Sequence, residues 1–293
     1  MSPARIAIAA VWSLALPALS PAQDEPPLPE GNAYVRSVLG AARPQDALID
    51  DYSYDVEEAR ERLDKEGKAT SVETRRYEVY FVKTRPVRRL VSRNGLALGA
   101  AEQAEVDRKA AAHAKAIADG GTVSEQPGLR LSTLLDSFDF KTVGREEREG
   151  RRTLVLDFEP RKDAGSKGQG DRAADAVTRI LTGRLHIDEA DRRVARLEAK
   201  NAPGQKASVA TGVKIGAFEL LMEYGAIDGR VWLPKRVVTL ATGRAFLFKT
   251  FRIRNTTTYS NYRRFRVDTE EEPVGQAARG KPRFDISAKP IIL

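Results

Sequence analysis

Only two histidines, His113 and His186, occur in the 293 residues, and cysteine is absent. Thiolate nucleophiles, thiolate zinc sites and disulfides are therefore excluded. His113 falls in a run of alanine and charge. His186 stands between Leu185 and Ile187, so in a strand it points away from that apolar pair. Both read as surface histidines. There is no His-Glu-x-x-His pattern and no close histidine pair, so a zinc site would need distant carboxylates. Gly-x-Ser-x-Gly, the nucleophile elbow, is missing as well. The stretch Ala164-Gly165-Ser166-Lys167-Gly168-Gln169-Gly170 departs from the phosphate-loop pattern, and no strand leads directly into it. It reads as a flexible loop. Asp50-Asp51 and Glu270-Glu271-Glu272 are acid runs at segment edges. Solvated charge is the simple reading, and calcium is the alternative, without the usual Asp-x-Asp-x-Asp-Gly spacing. A pair of acids for glycoside hydrolysis stays open, since nothing in the sequence selects one.

The pattern that stands out is apolar. Phe218, Leu220, Met222 and Tyr224 share one face of a strand, Phe246 and Phe248 share another, and Trp232 lies between them in sequence. Leu185 and Ile187 line a further strand. Such faces form either an ordinary packed core or the wall of a pocket inside a curved sheet. Apolar walls of that kind favour burial of an apolar ligand.

Mostly strands must position these residues. Tyr52, Tyr54 and Val56 alternate with polar residues, and Val72, Tyr77, Val79 and Phe81 return after Asp64-Lys65-Glu66-Gly67, which is a hairpin signal. A third strand, 87–91, ends at Arg93-Asn94-Gly95. Residues 140–147 and 153–159 form another hairpin around Glu149-Gly150. The last hundred residues read as a meander of strands 184–187, 194–199, 214–224, 230–240, 245–254 and 257–267, with turns at 189–191, 227–229 and 242–243. Helices are expected at 32–42, 100–118, 129–138 and 172–181. The helix over 100–118 presents mainly alanine on its apolar side, so it can approach a partner closely but buries little area. Consecutive strands with clustered helices argue for an α+β fold. A sheet this wide curls or closes.

The first residues read as a cleaved secretory signal. Arg5 precedes the apolar run Ile6 to Leu16, Pro17 breaks it, and Ser20 and Ala22 supply small residues before a cut after Ala22. The apolar run is shorter than the ~20 residues that span a bilayer. Without a cysteine at the cut, a lipid-anchored N-terminus is excluded. The formal net charge of +8 is scattered in short arginine pairs, most with acids nearby. Solvated strand faces explain that scatter, and attraction to anionic lipid head groups is the sharper reading.

The segment Phe218–Pro234 (FELLMEYGAIDGRVWLP), followed by Tyr259-Ser260-Asn261-Tyr262-Arg263-Arg264-Phe265, resembles the LolA-like outer-membrane lipoprotein-sorting proteins. Asp64-Lys65-Glu66-Gly67, the Arg93-Asn94-Gly95 turn into a charged helix, and Gly183-Arg184-Leu185-His186-Ile187-Asp188 fit the same family more loosely. The resemblance is scattered over most of the chain after the signal. It implies a half-barrel of antiparallel strands lidded by helices, with an apolar cavity, as in periplasmic carriers that shield lipid anchors. The chain departs from the family in its greater length and its charged long helix, and no residue matches a lid clamp. The resemblance therefore carries the fold and leaves the cargo unassigned.

The expectation is an α+β fold built on a large curved antiparallel sheet, a half-open barrel of about eleven strands with a few helices over its concave face. Residues 1–22 are the signal, 23–33 a disordered Pro-rich leader, and 34–293 a single domain. The expected function is that of an exported, periplasmic or secreted carrier holding a lipid or lipoprotein acyl chain against Phe218, Leu220, Met222, Tyr224, Trp232, Phe246 and Phe248. Envelope membrane proteins are further expected partners. Catalysis, a cofactor, a metal, nucleic acid and a membrane-spanning segment are not expected. The alternatives are a non-catalytic envelope interaction module with a filled core, and a hydrolase acting through acids alone.

Overall fold

The structure is a computed structural model that describes residues 25–40, 45–121, 131–161, 176–209, 213–227, 229, 231–245 and 249–264. The signal, the 164–170 loop, the 270–272 acid run, Phe246 and Phe248 lie outside the described residues.

Helix α1 (Gly31–Leu39) and a 3-10 turn (Gln45–Asp51) precede β1 (Tyr52–Leu63), β2 (Ala69–Val82), β3 (Arg85–Arg93) and the short β4 (Leu96–Ala97). Helices α2 (Ala100–Ala118) and α3 (Leu131–Leu135) separate these from β5 (Phe138–Arg148), β6 (Arg151–Pro160), β7 (Leu181–Asp188) and β8 (Arg193–Asn201). The chain ends in β9 (Ala207–Val209), β10 (Val213–Ile227), β11 (Val231–Ala245) and β12 (Lys249–Arg264). They form one open 12-stranded antiparallel sheet in the order β4-β3-β2-β1-β12-β11-β10-β8-β7-β6-β5, with β9 beside β10. Most neighbours in the sheet are neighbours in sequence. The exceptions are β10–β8, with β9 off the path, and β1–β12, which sets Val56 opposite Tyr259 and Glu61 opposite Arg254.

Several expected boundaries move. The strands expected at 245–254 and 257–267 are one strand, β12, because the ladder to β1 and β11 runs unbroken through Asn255 and Thr256. Leu181 opens β7 instead of ending a helix. Of the helix expected over 129–138, the described residues form only α3, and Phe138 opens β5 instead. The turn expected at Thr242-Gly243 is absent, because β11 runs on to Ala245 and pairs with Lys249. Gly243 marks a close approach rather than a turn. A Cβ there would lie 2.3 Å from the Lys214 carbonyl oxygen and 2.7 Å from the Phe251 ring, and strand glycines often report such crowding.

Alternation gives the sheet two different faces. On one, Leu154, Leu156 and Phe158 of β6, Leu185 and Ile187 of β7, and Leu197 of β8 are fully buried with α1 and α3 in the main core. Each fully buried Leu, Ile or Phe side chain contributes about 1.5–3 kcal/mol of transfer free energy. The core continues under the 3-10 turn, where Leu48 and Ile49 pack on Tyr52, Tyr54, Val56, Val79 and Leu233. Gln45 tethers that turn, its amide donating to the Val194 carbonyl at 2.9 Å and accepting from the Val194 N–H at 2.8 Å. Helix α2 lies on the other face, against Tyr80, Val82 and Val87, and it buries only Ala110 and Ile117. Salt bridges hold it there, with Arg89 bridging Asp107 and Glu78.

The chain from Glu25 to Glu30 lies along β5. Arg145, whose side chain is 9% exposed, donates to the carbonyls of Pro26 and Pro27 and to Glu189. Thr142 donates to the Pro29 carbonyl, and Asn32 accepts from the Phe140 N–H. Prolines lack the N–H that would extend a sheet, so this segment covers the β5 edge without recruiting another strand. Arg145→Ala is expected to cost about 2 kcal/mol in urea unfolding and to speed proteolysis before Gly31. Unchanged proteolysis would mean that Arg145 does not hold the segment.

Candidate functional site

Strand register builds the site on the face opposite the main core. Leu221 of β10 stands opposite Glu198 of β8 on one side and Val238 of β11 on the other. The next row sets Lys200, Glu219, Leu240 and Arg254 side by side. Leu221, Val238 and Leu240 thus make a half-buried apolar strip in the middle of a charged face. Together with Leu220 and Ala199 they line a groove of about 670 Å³. That volume is within the usual range for small-molecule sites. Its rim is charged and mostly paired. Asp157 accepts from Arg184 at 2.9 Å, Glu61 accepts from Arg254 at 2.8 Å, and Arg196 reaches both Glu198 and Glu223. Such pairs satisfy each other across strands and leave the apolar strip as the surface that gains most from being covered.

A second, smaller cavity of about 300 Å³ adjoins this groove at the hairpin turns. Glu223 lines it, while Glu223's partner Arg196 lines the groove, so one ion pair separates the two. Tyr224, Gly225, Ala226, Ile227 and Trp232 supply its apolar wall, with Arg148, Arg151, Asp188 and Lys235 around them. Arg151 grips the buried Asp188 through two hydrogen bonds of 2.6 and 2.9 Å, and it also reaches Asp191. The Trp232 indole N–H donates to Asp191 at 2.9 Å, and the Arg151 guanidinium lies 5.4 Å from the Trp232 ring centre. Burial alone would raise the Asp188 pKa. The Arg151 hydrogen bonds and the Asp191 and Ala190 amides outweigh burial and hold it below the usual carboxylate value.

His186 lies on this same face, as its position between Leu185 and Ile187 implies, but it is not at the surface. It is 4% exposed, with Nδ1 2.8 Å from Glu146 Oε1. It stands across from Arg196, and Glu146, Arg148 and Glu198 also surround it. Long charged side chains can shield a ring in this way even on a polar face. Burial lowers its pKa, while Glu146 pulls in the other direction. Among the described residues, no group of three or more His, Asp or Glu side chains could hold a metal ion. No helix among them is long and apolar enough to cross a membrane.

Of the residues singled out in the sequence, Leu220, Met222, Tyr224 and Trp232 are buried in the main core, and Phe218 packs against it partly exposed. Leu220 also borders the groove, and Tyr224 and Trp232 border the smaller cavity. Phe246 and Phe248 lie outside the described residues. Sequence reasoning missed Leu221, Val238 and Leu240. The available signal was that β10 and β11 carry apolar residues on both faces.

The sequence matches no protein-family profile and no curated protein. The structure is similar to a domain from Vibrio parahaemolyticus named for outer membrane lipoprotein sorting, at 11% identity and TM-score 0.39, over 83% of this chain and 94% of that one. It is similar to a LolA superfamily protein from Nitrosomonas europaea at 10% identity and TM-score 0.35, over 82% and 95%. A DUF1329 family protein from Desulfovibrio piger matches at 10% identity and TM-score 0.36, over 82% and 93%. Likenesses this distant leave ligand and activity to be argued from the site itself.

Proposed function

We propose that this chain is an exported carrier or binding protein for a hydrophobic chain, a lipid or a lipoprotein acyl group, held in the groove on the open face of the sheet. The observation that carries this reading is the Leu221–Val238–Leu240 strip, which is apolar, half-buried and continuous in the middle of an otherwise ion-paired face. Fully burying an exposed Leu or Val side chain is worth about 1.5–3 kcal/mol. Leu221, Val238 and Leu240 are already half-buried, so covering them adds about half of that each, without any chemistry. In this reading Leu221, Val238, Leu240 and Leu220 touch the ligand. Phe218 and Met222 support the strand from the packed side.

The packed core itself favours a second reading. Leu220, Met222, Tyr224 and Trp232 are each buried at 3–7% exposure, which also suits a non-catalytic envelope module with a filled core. One pair of variants separates the two readings. Leu221→Arg is expected to keep the fold and to weaken binding of a fluorescent C16 fatty acid by about thirtyfold. Met222→Arg is expected to unfold the chain, because it places an unpaired charge in the core. A wild-type protein that binds no acyl chain, by fluorescence or by native mass spectrometry after gentle purification, would favour the filled-core module.

A further inference from the structure

The smaller cavity contains a cation whose ion pairs are all long. Among the described residues, the Arg148 guanidinium has no hydrogen-bond acceptor. Its nearest carboxylates, Glu146 and Glu223, are both 3.9 Å away. Both lie closer to another nitrogen, Glu146 to His186 Nδ1 at 2.8 Å and Glu223 to the Arg196 guanidinium, which donates to it. The Arg148 side chain is nevertheless only 30% exposed. A guanidinium offers five donors in a planar fork that fits a carboxylate or phosphate, and in a partly enclosed site an anion that fills that fork gains more than it would in open water.

A second cation completes the arrangement. Lys235 lines the same cavity, and its ammonium is 3.5 Å from Glu149. Its stem crosses Gly225 so closely that a Cβ on Gly225 would lie 2.4 Å from Lys235 Cδ. The absence of a side chain at position 225 is therefore what lets Lys235 lie across the pocket.

We propose that this cavity takes the oxyanion head, carboxylate or phosphate, of an amphiphile whose chain runs past the Arg196–Glu223 pair into the groove. Arg148 is the bidentate donor, Lys235 the second cation, and Trp232 with Tyr224 the apolar collar behind the head. This rests on the carrier reading and sharpens it, since it assigns the ligand a charged end and an orientation.

The test is calorimetry with dodecanoate, dodecyl phosphate, neutral monododecanoylglycerol and inorganic phosphate. Wild type is expected to bind the two anionic amphiphiles about tenfold tighter than the neutral one, with inorganic phosphate showing no measurable heat. Arg148→Gln removes that preference and leaves the neutral ligand unaffected. Gly225→Ala, which displaces the Lys235 stem while only a flexible side chain must move, reduces the preference in the same direction. Circular dichroism and thermal midpoints confirm that both variants are folded. Equal wild-type affinity for charged and neutral chains would overturn the head-group assignment while leaving the carrier standing. So would an Arg148→Gln loss shared by all ligands. Inorganic phosphate binding as tightly as dodecyl phosphate would overturn the amphiphile in favour of a free-anion site. Failure of wild type to bind any of the three chains would overturn the carrier reading and this inference with it.

Discussion

Phe158→Ala is expected to cost about 3–5 kcal/mol and to lower the thermal midpoint by about 10 °C. Phe158 is 2% exposed at the centre of the main core. Its ring centre lies 4.6 Å from that of Phe138 and 6.0 Å from that of Phe140. These three rings join the edge strand β5 to its neighbour β6, and α1 and α3 pack in the same cluster. Truncation removes the transfer free energy of the ring and leaves a void that neighbours on two rigid strands fill poorly. It also removes two aromatic contacts, each worth about 0.5–1.5 kcal/mol beyond area. Phe158→Leu keeps most of the volume, so its loss should be well under half as large. Urea unfolding monitored by far-UV circular dichroism measures both. A loss below about 1 kcal/mol for the alanine variant would mean that the ring cluster does not hold this end of the sheet.

Asp188→Asn is expected to cost about 2 kcal/mol at neutral pH, with a characteristic pH dependence. Asp188 is 1% exposed and accepts from Arg151 twice and from the Asp191 amide. Asparagine keeps an acceptor for the amide but cannot neutralise Arg151. Breaking a fully buried pair costs about 3–5 kcal/mol. Arg151 is 37% exposed and retains Asp191, which reduces the loss. The direction with pH follows from linkage. The folded-state pKa of Asp188 is lowered, so its carboxylate stabilises the fold fully above the unfolded value, about 3.9. That stabilisation is lost as pH falls through the lower folded-state value. The stability gap between wild type and Asp188→Asn should therefore be constant at neutral pH and close only on strong acidification. A gap that widens on acidification, or that already closes between pH 6 and 7, would show that another group carries the effect.

Much of the secondary structure was legible because strand alternation and turn chemistry act locally. Tyr52, Tyr54 and Val56 answering Tyr77 and Val79 across Asp64 to Gly67 announce a hairpin, and the structure pairs Val56 with Tyr77 and Tyr54 with Val79. Gly243 was misread because its signal is ambiguous. A strand glycine can mark a turn or a backbone that another chain segment nearly touches, and only the Lys214 and Phe251 contacts decide which. His186 was placed on the right face but not at the right depth. Depth depends on Arg196 across the β7–β8 ladder and on Glu146 from the β5–β6 hairpin.

By itself the sequence determined the exclusion of cysteine chemistry, the antiparallel α+β class, most strand positions and the two-faced character of β10. Tertiary structure alone decided which face of β10 meets the helices and which forms the groove. The physical reason is that alternation sorts side chains into two sets without assigning a side to either. Leu220 and Met222 belong to one set and Leu221 to the other, and all three are apolar. The packed side follows from α1, α3 and the 3-10 turn covering the Leu220 face. The groove follows from register, which sets Leu221 beside Val238 and Glu219 beside Leu240. The β1–β12 pairing inside the sheet, between segments more than 190 residues apart in sequence, completes its charged rim by bringing Glu61 to Arg254.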